Sequence, residues 1–130
     1  MTQRTETRVL NAPKERVFAY VADIANVPRW ATEFARELRV VDGKHKVVNG
    51  LGEFFFRIEA DADTGVVDML AGPTEDALAL FPARVVGLPD GTSAFTFTMF
   101  QAPEMPDELF ESQHRSLLRE LENLEREVAA

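Results

Sequence analysis

Phe110, His114, Leu117, Leu121, Leu124 and Val128 in "FESQHRSLLRELENLEREV", residues 110 to 128, recur at alternating intervals of four and three. Side chains at that spacing stack along one face of an α-helix. The end of the chain is therefore predicted to be one continuous amphipathic helix, about 28 Å long at the standard rise. Its opposite face carries Glu111 with Arg115 and Glu122 with Arg126 at i,i+4, the pattern of a solvated surface. A stripe of this length must be buried against something broad and apolar. It also contains an imidazole, which needs an explanation of its own.

The remaining sequence supplies a sheet. From Glu37 to Gln101 short runs are bounded by turn residues, with Asp42-Gly43, Asn49-Gly50 and Pro89-Asp90-Gly91 as tight-turn signals. "GEFFFRIEAD" sets Phe54, Phe56, Ile58 and Ala60 against Phe55, Arg57 and Glu59, and "TSAFTFTMFQ" sets Phe95, Phe97 and Met99 against Thr96, Thr98 and Phe100. Strands joined by tight turns pair antiparallel, and a sheet with one apolar face needs a cover. Thr5 to Leu10 form a first strand ending before Pro13. "PKERVFAYVAD" and "VPRWATEFARE" follow as two short helices joined by a kink, with Val27, Trp30 and Phe34 on one face of the second. The expectation is an α+β fold with about seven strands and a long terminal helix across the concave sheet face.

This layout resembles the START-like (SRPBCC) helix-grip superfamily. "APKERVFAYVADIANVPRWA", "LFPARVVGLPDGTSAFTFTMFQAP" and the final helix carry the resemblance over nearly the whole chain. It includes the polyketide cyclase and dehydrase group, lipid-transfer domains and the birch-pollen-allergen type. The resemblance implies a hydrophobic cavity between sheet and helix. It carries over no catalytic residue, because no motif here matches a family's catalytic set residue by residue.

Composition narrows the partners. A chain of 130 residues with 45% hydrophobic content fits a single domain, residues 1–130. With 14 Lys plus Arg against 22 Asp plus Glu, the net charge of −8 opposes nucleic-acid binding. The absence of cysteine removes disulfides and thiolate chemistry, and the two histidines, His45 and His114, make no metal site. Neither a signal peptide nor a run of roughly 18 apolar residues is visible. A cytoplasmic protein without cofactor, without integral membrane association and with a small hydrophobic molecule as partner is expected.

The candidate ligand-binding residues are Trp30, Phe34, Phe54, Phe56, Phe81, Arg84, Phe97, Met99, Phe110, His114 and Leu117. Two readings of His114 stand: a cavity-facing donor or base, or a core-edge histidine bonded to a strand carbonyl or a carboxylate. Arg84 either fixes a ligand oxygen by its forked donors or lies over the outer sheet face, since Pro82 can reverse the strand alternation. Asp68, between Val67 and Met69, is expected in solvent; buried, it would need Arg84 or His114 as partner. Tyr20 is expected at a helix edge. The aromatic residues, ten of them phenylalanine, line either a pocket or a filled core. Three functions follow: binding or transport of a hydrophobic ligand, a polyketide cyclase or dehydratase-like enzyme, or a protein-interaction module with a filled core. Phe55, Phe100 and Val41 on the outer sheet face point to a possible homodimer.

Overall fold

The computed structural model describes residues 1–129. Strand β1 (Gln3–Leu10) leads to α1 (Lys14–Val21), a single 3-10 turn (Ile24–Asn26) and α2 (Val27–Trp30). Then come β2 (Glu37–Val41), β3 (Lys44–Asn49), β4 (Gly52–Asp61), β5 (Val66–Gly72), β6 (Ala79–Phe81), β7 (Ala83–Gly87), β8 (Ser93–Phe100) and α3 (Asp107–Val128). The strands form one curved antiparallel sheet in the order β1-β8-β7-β5-β4-β3-β2, with β6 also paired to β5.

Local chemistry accounts for most of these boundaries. Asp42 and Gly43 both take positive φ, 53° and 78°, as a two-residue hairpin loop between twisted strands requires. Leu51 donates its backbone N–H to Asn49 Oδ1 at 2.8 Å, tying the next hairpin. The sheet has eight strands instead of about seven because Pro82 divides the predicted run through Phe81 and Arg84 in two. Proline has no N–H to give a ladder, and its carbonyl accepts from Thr98 N at 2.9 Å. The alternation is nevertheless not reversed there: Ala83 and Val85 are buried, while Leu80 and Arg84 are exposed.

The second helix is shorter than its sequence pattern suggests. It stops at Trp30, and Ala31 turns to φ −89°, ψ 56°. Phe34 therefore belongs to the following loop, where its N–H and that of Glu33 donate to Glu120 on α3 instead of to a preceding helical turn.

Helix α3 runs three residues further toward the amino terminus than predicted, about 33 Å in all. Phe110, Leu117, Leu121, Leu124 and Val128 are buried as the periodicity requires. The imidazole of His114 lies at the edge of that stripe, where its Nε2 meets Glu6 Oε1 on β1 at 2.8 Å. Arg4 reaches Glu111 at 2.6 Å and Arg8 reaches Glu125, so alternate residues of β1 pin the helix along one sheet edge. Glu111 thus pairs with the sheet, not with Arg115, and Arg126 donates to Asn123 Oδ1 instead of pairing with Glu122.

Beneath α1 and α2 the core joins Leu10, Val17, Val21, Val85, Phe95 and Leu121. Ser93, at the start of β8, is fully buried and donates its hydroxyl to the Ala12 carbonyl at 2.8 Å. It holds the turn from which α1 departs. Ser93→Ala is expected to lower the unfolding free energy by about 1–2 kcal/mol, because a buried carbonyl loses its donor. Urea denaturation measures this directly; an unchanged midpoint would remove that role.

Candidate functional site: a cavity beneath the last helix

Helix α3 approaches the sheet backbone most closely at β1. Away from that edge it leaves a cavity of about 440 Å³ between its amino-terminal half and the central strands. The sheet contributes Phe56 from β4, Met69 from β5, Phe81 from β6, and Phe97 and Met99 from β8. Trp30, Ala31 and Phe34 close one side, Leu109, Gln113 and Leu117 the other, and Asn49, Gly50 and Leu51 stand at the rim. The rings brace one another: Phe34 meets Phe56 edge-on at 5.4 Å, and Phe81 stacks on Phe97 at 5.9 Å.

Seven of the residues singled out from the sequence line this space, namely Trp30, Phe34, Phe56, Phe81, Phe97, Met99 and Leu117. Four do not. Phe54 is half-buried on the same face of β4 as Phe56 but outside the cavity wall. Phe110 is buried on another side of α3 from the lining residues Leu109 and Gln113, under the Arg4 guanidinium at 5.7 Å. His114 is turned to the β1 edge by Glu6, so the carboxylate partner defines it. Arg84 is exposed on the outer face and donates to the Thr64 carbonyl at 3.1 Å, following the strand alternation through Pro82. Asp68, half-buried, sits opposite Glu59 in the β4–β5 pairing, while Val67 and Met69 on either side of it are buried.

The most deeply buried polar residue of the cavity wall is Glu120, which the sequence reading did not single out. It is only 6% exposed. Its Oε2 accepts from the backbone N–H groups of Glu33 at 3.1 Å and Phe34 at 2.9 Å. Burial pushes its carboxyl from 4.5 up to about 7, against the two amides that favour the ionised form; the Glu33 charge adds to the rise and Arg119 opposes it. Its spacing held the signal. Glu120 is three residues after Leu117 and four before Leu124, so it projects from the buried side of α3.

The loop that carries these amides is fixed from several directions. Glu33 accepts from Arg119 Nη2 at 2.6 Å and from Ser116 Oγ at 2.9 Å, and the Arg119 bond holds its carboxyl below the usual value. Asn123 Nδ2 donates to the Trp30 carbonyl at 3.1 Å, and Asn49 Nδ2 to the Phe34 carbonyl at 2.8 Å. Segment 31–36 is thereby a fixed wall between α3 and β3. Another hollow, of about 560 Å³, lies beyond β3 and β4. Charged groups line it and the Lys44–Glu75 pair, 2.5 Å apart, borders it, so it offers less apolar surface.

No family model matches the chain, and no curated protein matches it by sequence. Solved structures do match. The ZhuI aromatase/cyclase from Streptomyces sp. R1128 superposes with a TM-score of 0.74 at 16% identity, covering 98% of this chain and 93% of that one. A START superfamily protein from Mycobacterium smegmatis gives 0.70 at 15% identity over 97% and 96% of the two chains. The protein XoxI from Bacillus cereus gives 0.76 at 16% identity over 98% and 96%.

The chain has the START-like helix-grip fold. At these identities the likeness establishes the fold, and fold does not select a function. In this helix-grip chain the grip is asymmetric: ion pairs close the β1 edge, and the side facing β3 and segment 31–36 holds the cavity. Among the described residues no group of three His, Asp or Glu is placed to hold a metal, and no helix is long and apolar enough to cross a membrane.

Proposed function

We propose that this chain binds a small, predominantly apolar molecule in the cavity beneath α3. The observation that carries the reading is a space of about 440 Å³ walled by rings from α2, β4, β6 and β8. That volume falls within the roughly 300–1,000 Å³ of small-molecule sites. Each 100 Å² or so of apolar surface buried there contributes about 2.5 kcal/mol before the cost of association is met.

Binding is favoured over cyclase or dehydratase-like chemistry by the state of the ionisable groups in the wall. Those groups are Glu33, Arg36 and Glu120. Glu33 is engaged by Arg119 and Ser116, and Glu120 is bonded to two backbone amides, not to a second acid or base. Acid–base catalysis calls for positioned proton donors and acceptors within reach of one reacting atom. The open space likewise weighs against a filled-core interaction module.

Native mass spectrometry of the protein purified from its own host is expected to find a co-purifying small molecule. Leu117→Trp, which places an indole in the cavity, is expected to reduce its retention at least about tenfold. Retention unaffected by that substitution would move the ligand elsewhere. Absence of any adduct, with no thermal shift from bicyclic aromatic probes, would reject the reading.

A further inference from the structure

We infer that the molecule taken by this cavity is a hydrophobic cation, an aromatic or similarly flat apolar body bearing a protonated amine that meets Glu120. The inference rests on the binding reading above and names the ligand's polar end. Its geometric basis is the free half of a buried carboxyl. Oε2 is occupied by the amides of Glu33 and Phe34, whereas Oε1 makes no hydrogen bond to another described residue, and Glu120 is part of the cavity wall. A carboxylate shielded from water needs a cation or strong donors on its remaining lone pairs. No described residue supplies one to Oε1, although the wall also holds Ser112, Gln113 and the unpaired indole N–H of Trp30. Arg119 is committed to Glu33, and the Arg36 guanidinium is exposed at the rim, beside Gly50.

Three further observations favour a cation. The rings of Trp30, Phe34, Phe56 and Phe97 line the space, and aromatic rings attract ammonium groups over their faces. The chain carries a net charge of −8, which favours encounter with cations and disfavours anions. Finally, the ionisable groups facing Glu120 are Glu33 from segment 31–36 and Arg119 from its own helix, with Arg36 at the rim, and the first two neutralise each other. An entering ligand carboxylate would meet Glu120 with no spare cation inside.

Matched probes test this: naphthylethylamine, its neutral counterpart propylnaphthalene, and its anionic counterpart naphthylpropanoate. Titration calorimetry gives the affinities, and the emission of Trp30, the chain's lone tryptophan, reports on occupancy of the cavity itself. At about pH 8 the amine is expected to bind at least about tenfold more tightly than propylnaphthalene, and the anion most weakly. Binding of the amine should strengthen from about pH 6 to pH 8 as Glu120 ionises, the amine staying protonated throughout. Glu120→Gln retains an oxygen for the two amides; it should abolish the advantage of the amine over propylnaphthalene. Equal binding of amine and hydrocarbon, tighter binding of the anion, or an advantage that survives Glu120→Gln would each overturn the inference and leave the apolar cavity standing. Failure of all three probes to bind would remove the binding reading and this inference together.

Discussion

Phe95→Ala is expected to lower the unfolding free energy by about 3–5 kcal/mol, the range for truncating a fully buried phenylalanine. Phe95 has no exposed surface and stands on β8, directly between the sheet and α2. Its ring meets Trp30 edge-on, with centroids 6.0 Å apart and planes at 84°, and lies 6.3 Å from Phe97. Truncation removes transfer free energy, leaves a void, and loosens the aromatic contact that orients Trp30 in the cavity wall. Since domains of this size are stable by only about 5–15 kcal/mol, the variant would be near the edge of folding. Phe100, on the other face of the same strand and 40% exposed, provides the comparison. Phe100→Ala is expected to lose about 1 kcal/mol or less. Urea denaturation of both variants decides the matter; similar losses would mean that the buried face of β8 is not where stability resides.

The contrast between those two positions was legible in the sequence, because "TSAFTFTMFQ" alternates cleanly and an alternating strand declares its faces. The same holds for the middle of β4, where Phe56 and Ile58 face inward although Ala60 beyond them is exposed, and for the stripe of α3, whose buried residues follow the three-and-four spacing. The other features depend on partners distant in the chain. Periodicity places His114 on the inner side of α3, but that Glu6, 108 positions earlier, meets it is a fact of assembly. The early end of α2 has the same origin, since the amides of Glu33 and Phe34 are satisfied by a carboxyl on another element. Pro82 marked a break that the residues around it could not resolve into a bulge or two strands. The cavity is a difference between summed side-chain volumes and the gap that the backbone encloses, which no local pattern encodes.

Glu120 also gives the largest expected effect on the pH dependence of stability. Its carboxyl titrates near 4.5 in the unfolded chain and at about 7 in the folded one. Between those values the unfolded state has released the proton and the folded state retains it, so stability falls as pH rises through that window. At about 1.36 kcal/mol per pH unit, the gap corresponds to about 3 kcal/mol, absent below the unfolded value and complete above about pH 7. Other carboxyls titrate as well, and Glu33, held below its usual value by Arg119, acts in the opposite direction at lower pH. The difference between the native chain and Glu120→Gln isolates the single group, because the remaining carboxyls are common to both. That difference, from urea denaturation, is expected to shift in favour of the glutamine variant by about 3 kcal/mol between about pH 4 and pH 8. Because the amide retains an acceptor for Glu33 and Phe34, the shift reflects the charge and not the loss of the loop contact. A difference that stays flat across the range would mean that the carboxyl titrates alike in both states. Glu120 would then behave as a solvated rim carboxylate, without the buried charge that a cationic ligand would relieve.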